Sequence, residues 1–415
     1  MNRLVLTNVN LLDGENPAVR NRTVVVEGDR ITFVGAELPT VNDGDRVIDL
    51  QGRTVMPGLA TCHYHATMHS GTQGGFAPYG YEYPAPYQAL IAHRNLMAAL
   101  QQGYTIVVGA GSAREIDPGI KQAIEDGFVL GPRFTPSGRE LSTTGHANDT
   151  TVPWHWGLPE LGAARNCDGA DAFRYAVRDE VKKGVEVIKL FVTRGHLVPG
   201  SNDSMEMTPA EIAAAIETAH ERGVLIRAHL AGKRAIMLAI ELGIDIVDHC
   251  DEMDDEVIAA LVETGTFVVP SIHYIKLFAQ SDVRGPEVRA ESMRNIEFMC
   301  DALPKAEAAG VRLLLGDDYG GVSLRHGQYG DELHTYIDDI GLAPLAVLRW
   351  ATRNGADLIR RGDDLGTIET GKLADLLVVD GDPSVDISVL ADQNPMAVLK
   401  GGEVVCGALP DMQSA

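Results

Sequence analysis

At 415 residues the chain is too long for one ordinary small core and fits a barrel-sized domain with a smaller companion. Its 45% hydrophobic and 22% charged residues are ordinary globular values that exclude disorder and a fibrous protein; a formal charge of −23 opposes a nucleic-acid surface. The start has no basic stretch leading into a long apolar run, no segment is long enough to span a membrane, and the scattered cysteines at 62, 167, 250, 300 and 406 form no metal or disulfide framework. A cytoplasmic protein with a small-molecule substrate, and with neither nucleic acid nor membrane as partner, is expected.

The first fifty residues alternate apolar and polar in short runs, LVLTNVNLLDG, TVVVEGDRITFVGA and RVIDLQGRTVMPG, broken by Gly, Asp and Asn as antiparallel strands are. From about residue 365 the chain returns to that character in LGTIETGKLADLLVVDGD and AVLKGGEVVCG. The two ends therefore read as one small discontinuous β-sandwich domain, residues 1–56 with 363–415. Between them, over 57–362, short apolar strands alternate with helices: LATCHYH, TIVVGAG, RFTPSGR, VIKLFV, LIRAHL, IVDHC, FVVPS and RLLLGDD. Eight such strands make an α/β fold of the (β/α)8 TIM-barrel type. One helix is predicted over Pro209 to Arg222, with Thr208 as N-cap and Glu211 completing a capping box. The stretch His69 to Pro86 is rich in Gly, Pro and Tyr and follows the first strand, the place of a lid or pocket wall.

His63 and His65 flank Tyr64 at the end of the first barrel strand, and a period of two sends both rings to one side. His229 ends the fifth strand, His249 the sixth, and Asp317 and Asp318 the eighth, all opening on the face where barrels carry their chemistry. Lys189 lies inside the apolar fourth strand, where an ammonium must be paired or neutralised, and is available for modification. A lone histidine reads as a satisfied core residue; four of them with a lysine and a carboxylate at five strand ends read as a metal site. Cys62 and Cys250 read as small packed residues, and the GAGS segment lacks a full phosphate-loop fingerprint.

With these motifs in this order the chain resembles the amidohydrolase superfamily, and within it the imidazolonepropionase-like and prolidase-like carboxypeptidase branch. The matching segments are MPGLATCHYH, VIKLFV, IRAHLAG, DIVDHCDEMDDE and LLLGDDYG, completed by RHGQYGDELHTYID, WATRNGADLI and LGTIETGKLADLLVVDGDP, nearly end to end. The resemblance implies two divalent ions, commonly zinc. His63, His65 and Asp318 would hold one, His229 and His249 the other, and a CO2-derived carbamate on Lys189 would bridge them. It further implies a metal-bridging hydroxide with Asp318 as general base, and His146 in STTGHAND as a hydrogen-bond donor to the substrate carbonyl. His326, His196, Arg194, His273 and Tyr274, in loops beyond strand ends, are candidate substrate contacts.

The implied activity is hydrolysis of a C–N bond in a dipeptide or N-acyl amino acid, with a carbamate, phenylurea, cyclic amide or lactone as the alternative and a catalytically silent scaffold as the remote one; a homo-oligomer is expected. Some positions depart from the pattern. Thr61 stands where an acidic residue is usual, and Asp317 occupies a threonine's place, so that motif register alone favours Asp318 over its neighbour as ligand. YTIVVGAGS lacks an Arg-Asp pair, and RGH replaces a more glycine-rich stretch after the lysine strand.

Overall fold

A computed structural model describes residues 3–69, 80–146, 149, 155, 162–196, 202–281, 285–321 and 324–410. The chain opens with β1 (Leu4–Leu11), β2 (Val19–Glu27), β3 (Arg30–Gly35), β4 (Arg46–Asp49) and β5 (Thr54–Pro57). The barrel strands follow: β6 (Leu59–Tyr64), β7 (Tyr104–Gly109), β8 (Arg133–Thr135) with β9 (Ser137–Ser142), then a short β10 (Ala164–Asn166). They continue with β11 (Val187–Phe191), β12 (Leu225–Leu230), β13 (Ile246–His249), β14 (Phe267–Val269) and β15 (Arg312–Leu313). Last come β16 (Leu376–Val379), β17 (Ala397–Lys400) and β18 (Glu403–Gly407).

All eight predicted barrel strands are present, parallel and in chain order. The third is divided at Pro136, which has no N–H for the ladder: β8 pairs with β7, whereas β9 pairs with β11. β10 adds an unanticipated parallel strand on the other side of β9. Backbone bonds from Cys62 N to Leu315 O (2.7 Å), His65 N to Tyr319 O (2.9 Å) and Tyr319 N to His63 O (3.3 Å) join the continuation of β15 back to β6. Gly316 permits this approach, because a Cβ there would lie 2.4 Å from the His63 nitrogen.

Alternation along the strands sets two layers. Ala60, Ile106, Val187, Ile246, Val269 and Leu314 pack together inside the barrel. Their neighbours Val107, Ile188, Ile226, Val247, Val268 and Leu313 face outward onto Leu96, Phe173, Ile212, Ile236 and Leu261 of the covering helices. The predicted helix is found at Pro209–Glu221, its box closed by Thr208 N donating to the Glu211 carboxylate at 2.8 Å and Thr208 Oγ1 accepting from Glu211 N.

The first and last strands share one eight-stranded sheet in the order β18-β17-β16-β5-β1-β2-β3, with β4 against β1. Antiparallel pairing of β5 with β16, from Pro57–Leu376 to Thr54–Val379, stitches the two ends of the chain together over a separate apolar cluster that includes Leu6, Val24, Ile31, Val55, Leu376 and Leu399. Most of the predicted lid, residues 70–79, lies outside the described residues, and a helix already begins at Ala85. Among the described residues no helix is long and apolar enough to cross a membrane.

Candidate metal centre

His63 and His65 leave β6 where its register against β7 shifts, between Thr61 and Tyr64. Tyr64 turns outward and donates to the Asn95 carbonyl at 2.6 Å, while the two imidazoles face the barrel mouth. Each Nδ1 is committed. His63 Nδ1 lies 2.9 Å from Ser271 Oγ, whose own proton goes to the Gly316 carbonyl at 3.0 Å, and His65 Nδ1 donates to the Gly111 carbonyl at 2.9 Å. A carbonyl can only accept and a hydroxyl has one proton, so both rings carry hydrogen on Nδ1.

Their Nε2 atoms then converge on a single oxygen, Asp318 Oδ1, at 3.5 Å from His63 and 2.7 Å from His65. Two nitrogen lone pairs facing one carboxylate oxygen repel unless a proton or a cation lies among them. The donor set therefore fits a divalent ion, with orienting partners of the kind metal-bound histidines have. Without one, burial pulls the His65 pKa down, but the hydrogen bond and charge of Asp318, with Glu140 beyond, outweigh it and hold the ring above its ordinary range.

Among the described residues, two groups of side chains each bring one nitrogen or oxygen per residue within 4.8 Å of the others: His63, His249 and Asp318, and His196, His229 and His249. His249 belongs to both. His229 donates its Nε2 proton to the Arg194 carbonyl at 3.3 Å and stacks on Phe191 at 4.5 Å, and His249 Nδ1 has no hydrogen-bond partner among the described residues. Burial, reinforced by neighbouring positive charges, pushes His63, His229 and His249 well below the usual imidazole range, so all three are neutral and carry lone pairs.

Lys189 points into the same interior and is 1% exposed. Its Nζ lies 2.5 Å from Asp248 Oδ2, and Arg227 grips the same carboxylate from β12, Nε to Oδ2 at 2.9 Å and Nη2 to Oδ1. Burial alone would raise the Asp248 pKa; the charges of Arg227 and Lys189 prevail and lower it. Arg227 further donates to the carbonyls of Cys62 and Gly109, fixing the ends of β6 and β7.

Strand alternation sends Asp248 inward and would send His249 outward. His249 (φ 72°) and Cys250 (φ 59°) instead enter the left-handed region, as do Ser271 (φ 50°) and Asp318 (φ 57°) at neighbouring strand ends. Such backbone costs about 1–3 kcal/mol per residue and gathers at functional sites. Here it lies at strand ends beside the candidate ligands. Asp317 faces away, 0% exposed, accepting from Tyr274 N–H at 3.0 Å; burial and the charge of Glu332 raise its pKa far above the carboxylate range.

The remaining predicted residues fall at different depths. His146 is buried, its pKa lowered to about 4 by desolvation, and sits 6.1 Å behind Phe191. Tyr274 lies 6.2 Å from His249 ring to ring, while His273 turns to Thr335 Oγ1 at 2.8 Å. His326, its pKa lowered to about 3 by burial, packs at a tilt against the Tyr64 ring and donates to the His65 carbonyl at 3.3 Å, bracing β6. Arg194 pairs with Glu206 at 3.3 Å and keeps 39% of its side chain exposed. His196 lies within the histidine cluster itself. Cys62 is packed in the barrel interior, its thiol pushed up to about 12 by burial. Ser271, Arg227, Asp248 and Asp251 were not anticipated; charges within apolar strands were the signal for two of them.

A sequence model of the Amidohydrolase family matches residues 54–405. The ochratoxinase of Aspergillus niger is 29% identical over 425 aligned positions, 96% of this chain and 85% of that protein. Among solved structures, a Xaa-Pro dipeptidase with methionine bound in its active site is 29% identical at a TM-score of 0.85, covering 97% of this chain and 99% of that one. A prolidase complexed with N-methylphosphonate-L-proline is 30% identical at the same TM-score, with 97% and 99% covered.

Proposed function

The chain belongs to the amidohydrolase family, and from that premise we propose that it is a metal-dependent hydrolase cleaving the C–N bond of a small amide such as a dipeptide or an N-acyl amino acid. The observation that carries this reading is the convergence of His63 Nε2 and His65 Nε2 on Asp318 Oδ1 with both Nδ1 atoms already committed. The amino-acid compounds held by two similar structures, methionine and N-methylphosphonate-L-proline, favour a substrate bearing a carboxylate. Free thiols at all five cysteines agree with a reducing compartment.

His63, His65 and Asp318 would hold one ion, and His229 and His249 the other. Divalent ions there, zinc being the first choice for imidazole and carboxylate donors, supply Lewis acidity that activates water and polarises a carbonyl. Asp318 takes the proton of the attacking water and hands it to the departing amine. His146, neutral at physiological pH, hydrogen-bonds the substrate carbonyl oxygen, and the partly exposed guanidinium of Arg194 meets the carboxylate. At Lys189, addition of CO2 to the neutral amine with loss of a proton would turn a cation into an anionic bridging ligand. Asp248 would then keep Arg227 as its partner, so the change leaves no buried carboxylate alone.

The test is amine release from a panel of N-acyl amino acids and dipeptides by zinc-loaded protein, alongside elemental analysis. Turnover that disappears on chelation and returns with zinc is expected. Protein that binds no divalent ion after careful reconstitution overturns the reading.

A further inference from the structure

His196 is not among the six ligands considered above, yet its ring lies 4.9 Å from that of His229 and 4.5 Å from that of His249, edge to face with both, and those two are 4.4 Å apart. The three imidazoles thus surround a common point. Only 5% of the His196 side chain is exposed. Its Nε2 lies 2.6 Å from Asp251 Oδ2, and Nδ1 has no hydrogen-bond partner among the described residues.

We propose that His196 is a ligand of the ion held by His229 and His249, with Asp251 as the carboxylate that orients its ring. A carboxylate accepts, so the Nε2 proton is fixed on the Asp251 side and the Nδ1 lone pair is left for a cation. Asp251 is itself immobilised: its side chain is 0% exposed, Asn295 Nδ2 donates to the same Oδ2 at 2.7 Å, and Asn202 donates to Asn295 Oδ1 at 3.1 Å. His229 repeats the arrangement, spending Nε2 on the Arg194 carbonyl. Three imidazoles are a complete protein ligand set for zinc, with one position left open.

The consequence is an ion that does not depend on Lys189. That lysine is already paired with Asp248, so this ion can bind before, or without, any carbamate. The assignment rests on the metal-dependent reading given above and changes which side chains hold the second ion.

The experiment titrates cobalt(II) into the chelator-stripped full chain and follows stoichiometry and visible absorption, which report ligand number without any turnover. Wild type is expected to take up two ions, and Lys189→Ala one. His196→Asn should weaken one of the two by at least about tenfold with a changed spectrum, and Lys189→Ala with His196→Asn together should bind none tightly. Asp251→Asn, which keeps the ring but loosens it, should weaken the same ion less. His220→Asn, an exposed histidine paired with Asp245, is the control. Wild type binding no cobalt overturns the metal-dependent reading and this assignment with it. Folded His196→Asn and Asp251→Asn proteins that both match wild type in affinity and spectrum overturn the assignment alone.

Discussion

Lys189 and Asp248 meet at 2.5 Å across the strand that carries Arg227, and both side chains are cut off from water. One carboxylate balances two cations there. Replacing it by the isosteric amide in metal-free protein leaves both without a counter-charge, and removing one member of a buried ion pair costs about 3–5 kcal/mol. Urea unfolding of Asp248→Asn should show a loss of that order. A loss below about 1 kcal/mol would mean that the buried cations do not rely on this carboxylate for their counter-charge.

Asp317 and Asp318 are neighbours with opposite fates. Asp318→Asn should lower kcat by at least about a hundredfold, the scale of a removed general base. Burial raises the Asp317 pKa well above the usual carboxylate value, so an amide is close to the species that burial favours, and Asp317→Asn should be far milder. Steady-state rates of the two variants decide it; the reverse order would exchange the roles.

Glu332 accepts from Gly316 N–H at 2.7 Å and from the Tyr319 hydroxyl at 3.1 Å, and burial raises its pKa to about 8. A carboxyl raised on folding contributes stability that is whole below its unfolded pKa, near the usual carboxylate value, and is lost as pH climbs through the folded one. Wild-type Tm should therefore fall between pH 6 and pH 9 by an amount that Glu332→Gln removes. Parallel Tm curves for the two proteins would show that the carboxyl is already ionised at neutral pH.

Ser271 orients His63 without being a candidate ligand. Ser271→Ala keeps the small side chain that its left-handed backbone tolerates but deletes the acceptor for Nδ1. Loss of such a partner typically weakens metal binding by about 10–100-fold. Zinc competition against a chromophoric chelator should find that drop for one of the two ions, and unchanged binding would mean that His63 is positioned by its strand alone.

Much of the architecture was legible because burial on both faces leaves short apolar runs that only a helix-covered parallel sheet explains. His63, His65 and His229 could be placed at the mouth from alternation and strand ends, and Asp318 was preferred to Asp317 by motif register alone. Other features were less accessible. Alternation sends His249 the wrong way, and only the left-handed turn at residues 249 and 250 brings it back. Lys189 in an apolar strand demanded a partner, but choosing Asp248 needed the register that sets Lys189 beside Arg227 and His229 beside Asp248. GAGS looked like half a phosphate loop. Its Gly111 carbonyl turns out to hold His65, a backbone role that no side-chain motif encodes.

The pairing of β5 with β16 also sets an order of events during synthesis. β1 to β5 leave the ribosome before the barrel strands, yet β5 has one edge open until Leu376–Val379 has been made, after every barrel strand. The terminal sheet is thus completed after the barrel strands, across a loop that contains the whole barrel, and its early strands must wait with an exposed edge. A nascent chain released before residue 376 would keep all the candidate metal ligands and lack the strand that covers that edge, which makes truncated products of this protein a predicted source of aggregation.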